Sequence, residues 1–179
     1  TFQVASIHAI MPINVSTASW EAKNSLQKAL FGESIAYEEK FNPKNKLGNA
    51  KGTLVGGNLS ILYSLMGSQT QIDCSNKILF IEDLDEYLYH IDRMMMNLKR
   101  CGCFDQLQGL IVGSMTKMKD NEIPWGKNAY QIIEEIVAPY NFPVIYDFQA
   151  GHINNNKALI FGKTISIEVT KDKSMIQFW

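Results

Sequence analysis

The sharpest change of pattern along the chain falls at Glu82. Before it, Ile78-Leu79-Phe80-Ile81 is an unbroken apolar run, the pattern of a short strand covered on both faces. After it, Tyr87, Ile91, Met94 and Leu98 recur at helical spacing and share one face. Asp83 is a candidate N-cap with Glu86 three residues on, as in a capping box, and Gly102 stands where such a helix would stop. Glu82 is therefore expected at the carboxyl end of a buried strand, just before a helix. In open α/β sheets that edge is where ligands bind. Two readings stand side by side: Glu82 faces a ligand, or it only caps the strand-to-helix turn.

The remaining pattern predicts a mixed α/β chain. Residues 2–10 read as extended, with apolar side chains on both faces, and Pro12 ends the run. Ser16 and Thr17 offer caps for a helix to Phe31, with Ala18, Ala22, Leu26, Ala29 and Leu30 on one face and Gly32 as the stop. Residues 33–49 are polar and suggest a hairpin or long loop, with strand-like pieces at 35–41 and 52–55. Gly56-Gly57-Asn58 then leads into Leu59, Leu62, Tyr63 and Met66 at helical spacing. A glycine pair feeding a helix N-terminus can present N–H groups to an anion, which makes Gly56, Gly57 and Asn58 candidate substrate-binding residues. The plainer alternative is a tight loop whose glycines satisfy backbone geometry. No Gly-Lys-Ser/Thr follows, so the stretch is not a P-loop.

Further on, residues 107–112 form a second buried-strand pattern and 116–127 an exposed loop. Tyr130, Ile133 and Val137 mark a helix, 143–147 a short strand and 148–156 an irregular loop. Residues 158–161 and 164–169 read as strands, the second with one face to water, and 175–179 as a last edge strand.

Composition adds limits. The chain has 179 residues, 46% hydrophobic and 20% charged, ordinary for one soluble globular domain with a sizeable core. A net charge of -1 offers no basic field for nucleic acid or an anionic membrane. No apolar run approaches bilayer-spanning length. No signal peptide pattern is visible, and a start at Thr1 rather than Met fits a processed or excised piece. The three cysteines, Cys74, Cys101 and Cys103, are an odd number, which argues against a disulfide framework and fits a reducing compartment. Cys101-Gly102-Cys103 lacks C-x-x-C spacing and a second ligand cluster, so buried structural thiols are expected rather than a metal pair.

Chemistry centres on the histidines. His90 lies one turn after Glu86 and reads as its surface i,i+4 partner. His8, in the first extended run, reads as a satisfied core or interface histidine. His152 follows Gly151 in a loop after a buried strand, where function concentrates. A carboxylate at one strand end and a histidine in a loop at another suit a base and its orienter. A serine triad would also need an exposed Ser on a sharp turn beside an oxyanion hole. Gly32-Glu33-Ser34-Ile35-Ala36 follows a helix rather than a strand and has Ala for the second Gly, and Ser114 lacks the motif altogether. No other serine sits in that context.

Gly56-Gly57-Asn58-Leu59, Leu65-x-Gly67, Ile78-Leu79-Phe80-Ile81-Glu82-Asp83, Tyr89-x-Ile91-Asp92-Arg93-Met94, Leu110-Ile111-x-Gly113, Pro143-x-Ile145, Gly151-His152 and Gly162 follow one another in this order. The set resembles the carboxyl-terminal half of the LD-carboxypeptidases, the serine peptidase family that includes the muramoyltetrapeptide carboxypeptidases and the microcin-immunity peptidases. The resemblance runs from Ser6 to Val169 and implies a three-layer swivelling β/β/α-type domain with a mainly parallel central sheet. It implies that an amino-terminal domain carries the nucleophilic serine on an elbow, and that Glu82 and His152 are the catalytic glutamate and histidine. Ser6-Ile7-His8-Ala9-Ile10-Met11-Pro12 is similar to the family's crossing segment, usually Ser/Thr-x-His-Gly-Pro-Met, with Ala9 and Ile10 in place of Gly-Pro. Leu159-Ile160-Phe161-Gly162 is similar to its Leu-Pro-x-Gly, with Ile for Pro. Residues 1–14 are thus expected to be a crossing segment from a missing amino-terminal domain, and 15–179 the carboxyl-terminal domain.

The implied activity is removal of the terminal D-alanine from murein tetrapeptides in cytoplasmic recycling, without metal or cofactor, in a homodimer, with this chain inactive by itself. The alternatives are a microcin-immunity-type peptidase acting on aminoacyl-nucleotide-like substrates, or a non-catalytic binding or dimerisation domain. For the last, an exposed carboxyl terminus with Phe178 and Trp179 would supply a contact.

Overall fold

The computed structural model describes residues 4–179, so residues 2 and 3 of the extended run, and residues 1–3 of the crossing segment, lie outside the described residues. In chain order the elements are β1 (Ser6–His8), a 3-10 turn (Pro12–Asn14), α1 (Trp20–Phe31), β2 (Ala36–Lys40), β3 (Gly48–Asn58), α2 (Leu59–Leu65), β4 (Lys77–Leu84), α3 (Leu88–Arg100), β5 (Gly109–Thr116), α4 (Ala129–Val137), β6 (Val144–Ile145), β7 (Leu159–Phe161), β8 (Thr164–Val169) and β9 (Lys173–Phe178).

A seven-stranded sheet runs in the order β2-β9-β8-β3-β4-β5-β6, and β1 and β7 form a separate two-stranded ribbon. From β3 to β6 the strands are parallel; β8, β9 and β2 extend the sheet antiparallel. β4 is central, and every residue from Ile78 to Asp83 is buried. Period-two alternation splits its side chains between two cores. Leu79 and Ile81, with Leu110 and Val112 of β5, pack under α2, α3 and α4. Ile78 and Phe80, with Ile111, pack on the opposite face against Phe148, Ala158 and Leu159 of the ribbon side. The result is a helix layer, a large sheet and a small ribbon, the layering expected of a β/β/α domain. Each fully buried Ile or Phe here contributes about 1.5–3 kcal/mol.

The helices form where local signals agree. α4 has a full capping box between Asn128 and Gln131. α3 buries Leu88, Ile91, Met94, Met95 and Leu98, and places Lys99 and Arg100 in its last turn, where cations meet the negative end of the dipole.

Several expectations are corrected. α1 starts at Trp20, not after Ser16 or Thr17, because residues 14–18 close a turn on the Asn14 carbonyl and Ser19 Oγ accepts from Ala22 N–H instead. α3 is capped at Tyr87. Asp83 still belongs to β4, and its carboxylate accepts from Asn58 Nδ2 and the Ser60 and Leu84 N–H groups. β2 and β3 are no hairpin: β2 pairs with β9, so β9 is an inner strand and not an edge. Phe178 is buried, leaving Trp179 as the exposed aromatic of the carboxyl terminus. Cys74 and Cys103 are not separate thiols but a disulfide, with Cα atoms 5.3 Å apart, while Cys101 is free and exposed. The β4–α3–β5 crossover brings the end of α3 back beside the entry to β4, a proximity that Cys spacing alone does not encode.

Candidate active site

The site begins with an irregularity. β4 and β5 pair in register at Ile81 and Val112, then again at Asp83 and Met115, so β5 carries one residue more than β4 between them. A bulge of this kind re-aims the side chain beside it. Glu82 sits at that bulge, on the ribbon face of the sheet, and is 1% exposed. Asp83, next in line, turns to the helix face and ties β4 to the start of α2.

His152 reaches Glu82 from the loop after β6. Its Nδ1–H donates to Glu82 Oε2 at 2.7 Å, across 70 residues of sequence. Gly151 permits the approach. Its φ is +121°, and a Cβ there would lie 2.4 Å from Ser114 Oγ and 2.8 Å from Glu82 Oε2. Both the backbone conformation and the space therefore demand glycine. The loop is held at several points. Asn156 Oδ1 accepts from Gly151 N–H, Ser19 Oγ donates to Asn155 Oδ1, and Ser19 N–H donates to the Asn154 carbonyl. The three consecutive asparagines anchor this loop to itself and to α1.

Burial by itself would raise the Glu82 carboxyl. The ring nitrogens of His8 and His152 outweigh that burial and hold it below its ordinary value, so it is anionic at neutral pH. His8 Nε2 stands 4.0 Å from Glu82 Oε1, so the carboxylate lies between two imidazoles. The His152 side chain is half exposed and faces a cleft of about 360 Å³, lined also by Ile10, Thr17, Thr116 and Lys117. A carboxylate that fixes one ring nitrogen of a half-exposed histidine leaves the other free to move a proton. Among the described residues no group of three or more His, Cys, Asp and Glu side chains could hold a metal ion.

Of the residues singled out in the sequence, Glu82 and His152 meet. Gly56 and Gly57 instead lie inside β3, opposite Phe80 and Ile81. Gly56 has φ +137°, and a Cβ there would sit 1.9 Å from the Phe80 carbonyl oxygen. The anion cradle is closed as well. The Ser60 and Ile61 N–H groups at the start of α2 already donate to Asp83 and Asn58. Asn58 does stand in register with Glu82, at the same sheet edge. His90 Nδ1 is 2.7 Å from Glu86 Oε2, away from the dyad. The approach of His8 to Glu82 was not legible from the sequence, where only its place beside Ser6 and Met11 marked it.

The model of the LD-carboxypeptidase C-terminal domain matches residues 51–167, most of the chain and both members of the dyad. The chain belongs to the LD-carboxypeptidase family. The "Probable murein peptide carboxypeptidase" of Bacillus subtilis strain 168 is 33% identical over 153 residues, 84% of this chain and 48% of that protein. The muramoyltetrapeptide carboxypeptidase of Oxalobacter formigenes superposes with a TM-score of 0.88 at 21% identity, over 98% of this chain and 61% of that one. The microcin C7 self-immunity protein MccF in complex with aspartyl sulfamoyl adenosine superposes with a TM-score of 0.78 at 18% identity, over 97% and 61%. This LD-carboxypeptidase chain spans about half the length of the curated relatives it matches. No helix among the described residues is long and apolar enough to cross a membrane.

Proposed function

We propose that this LD-carboxypeptidase domain supplies the Glu–His pair of a serine carboxypeptidase whose nucleophile stands on an amino-terminal domain. Residues 1–14 would be the crossing segment and residues 15–179 the carboxyl-terminal domain. The observation that carries the reading is the 2.7 Å bond from His152 Nδ1–H to a buried Glu82, with the ring half exposed to an open cleft.

In this mechanism His152 Nε2 takes the proton of the serine as its oxygen attacks the carbonyl between an L- and a D-residue. The same nitrogen then protonates the departing amine, and the sequence repeats with water to release the acyl group. Glu82 holds the tautomer and stabilises the imidazolium that forms. The substrate is a murein tetrapeptide and the product D-alanine, released by a homodimer; in a reducing cytoplasm Cys74 and Cys103 would stay thiols, so the Cys74–Cys103 disulfide speaks for an oxidising compartment instead. Asn58 stands in register with Glu82, but its side chain is hydrogen-bonded to Asp83, Ser60 and Ile61, so the Gly56-Gly57-Asn58 set supports the end of the strand rather than meeting the substrate.

The likeness to the MccF complex supports a second reading, in which the substrate is an aminoacyl-nucleotide analogue. One assay addresses both. The 179-residue chain and a two-domain protein containing it are given a murein tetrapeptide and, separately, aspartyl sulfamoyl adenosine, and D-alanine or aspartate release is followed. The expected outcome is D-alanine release by the two-domain protein, none by the chain alone, and loss of release in His152→Ala. Turnover by the chain alone at about 1 per second or faster would overturn the split triad, and preference for the nucleotide analogue would move the substrate to the second reading.

A further inference from the structure

Glu82 has two carboxylate oxygens, and the His152 contact uses one of them. The other, Oε1, faces His8 Nε2 at 4.0 Å. That distance lies within ion-pair reach and beyond a direct hydrogen bond, so in this chain the ring acts on the carboxylate through the charge on its N–H rather than through a short bond. The rest of the His8 environment selects its orientation. Nδ1 is buried without a hydrogen-bond partner. A buried lone pair is a lesser cost than a buried N–H with nothing to receive it, so the neutral ring carries its proton on Nε2, toward Glu82. Phe80 meets the ring edge-on at 5.1 Å between centroids, and Phe161 lies at 5.9 Å, which fixes its plane. The backbone is fixed too, because His8 pairs with Leu159 across the β1–β7 ribbon.

We propose that His8 is a positioning residue: its Nε2–H holds Oε1 of Glu82, so that Oε2 stays aimed at His152. The carboxylate is then clamped from both sides, by the ribbon through His8 and by the Gly151 loop through His152. Its role in catalysis presupposes Glu82 as the orienter of His152 in peptide hydrolysis; the clamp itself does not. The titratable groups acting on Glu82 are His8 from β1 and His152 from the loop after β6, while Asp83 faces the opposite side of the sheet. The Ser114 hydroxyl of β5 shares the pocket with Glu82 behind Gly151, and Lys117 lines the cleft on the His152 side.

The test is NMR of the full chain with labelled histidine and glutamate side chains, in the wild type, His8→Gln and His8→Phe. Ring nitrogen shifts read the His8 tautomer directly, and carboxyl carbon shifts read the Glu82 titration. The expected result is His8 protonated on Nε2, a Glu82 titration that moves to higher pH in His8→Phe, and one that stays near the wild type in His8→Gln, which keeps an N–H donor. A purely structural His8 would lower the melting temperature and leave the Glu82 titration in place, and that result overturns the clamp. A wild-type His8 with its proton on Nδ1 overturns it as well, and that measurement needs no variant to fold. If the protein proved not to hydrolyse LD-peptides, the proposed function would fail while these titrations still decided the clamp.

Discussion

Replacing Gly151 with alanine tests the site at its tightest point. The methyl group would enter 2.4 Å from Ser114 Oγ and 2.8 Å from Glu82 Oε2, on a backbone at φ +121°. Forcing a residue with a Cβ into that backbone region costs about 1–3 kcal/mol. Overpacking adds about 1–3 kcal/mol, because Ser114 can turn its hydroxyl aside but Glu82 cannot move without losing His152. The sum, about 2–6 kcal/mol, is a large part of the roughly 5–15 kcal/mol that holds a domain folded. For a chain of this size the melting temperature should drop by on the order of 10 °C.

Gly57→Ala is the control. Its φ is +148° but nothing lies within 4 Å of the added Cβ, so only the conformational part of the cost, about 1–3 kcal/mol, applies there. Urea denaturation measures both variants, and the Nδ1 proton of His152 reports whether its bond to Glu82 survives. If Gly151→Ala stayed within about 1 kcal/mol of wild type with that proton unchanged, the account of why glycine precedes the histidine would be wrong.

In the proposed two-domain protein, Glu82→Gln should leave the fold intact and lower kcat by on the order of 10⁴-fold, the effect of a wrong histidine tautomer in a serine protease; a loss confined to KM would remove Glu82 from the chemistry. Because the folded-state Glu82 carboxyl lies below its ordinary value, its contribution to stability is present above the unfolded-state range near pH ~4.3 and is lost as pH falls through the folded value. Asp83 is raised by burial, so it opposes that slope: its contribution is greatest at low pH and is lost as pH rises through its folded value. Urea midpoints between about pH 3 and pH 6 should therefore show a flatter acid limb in Glu82→Gln and a steeper one in Asp83→Asn; equal slopes in both would contradict the assignment. The Cys74–Cys103 disulfide closes a loop with a sequence separation of 29, so reduction should cost about 3–4 kcal/mol. Unchanged stability in reductant, or an effect of reductant that persists in Cys74→Ser, would exclude a stabilising bridge.

What the sequence determined by itself was local. The apolar run at 78–81 and the helical spacing of Ile91, Met94 and Leu98 made β4 and α3 legible, because period and burial are written in neighbouring residues. The ordered motifs named Glu82 and His152, but naming them did not bring them together. Their meeting depends on the bulge opposite Glu82, on strand order that carries the loop after β6 over the ribbon face, and on a backbone at Gly151 that only glycine adopts there without overlap. The same holds for the Cys74–Cys103 pairing, for β2 joining β9 rather than β3, and for His8 facing the second oxygen of Glu82. Each is a contact between segments far apart in the chain. Hydrophobic periodicity specifies which face of an element is buried, and only the packing of all the elements decides which residue it is buried against.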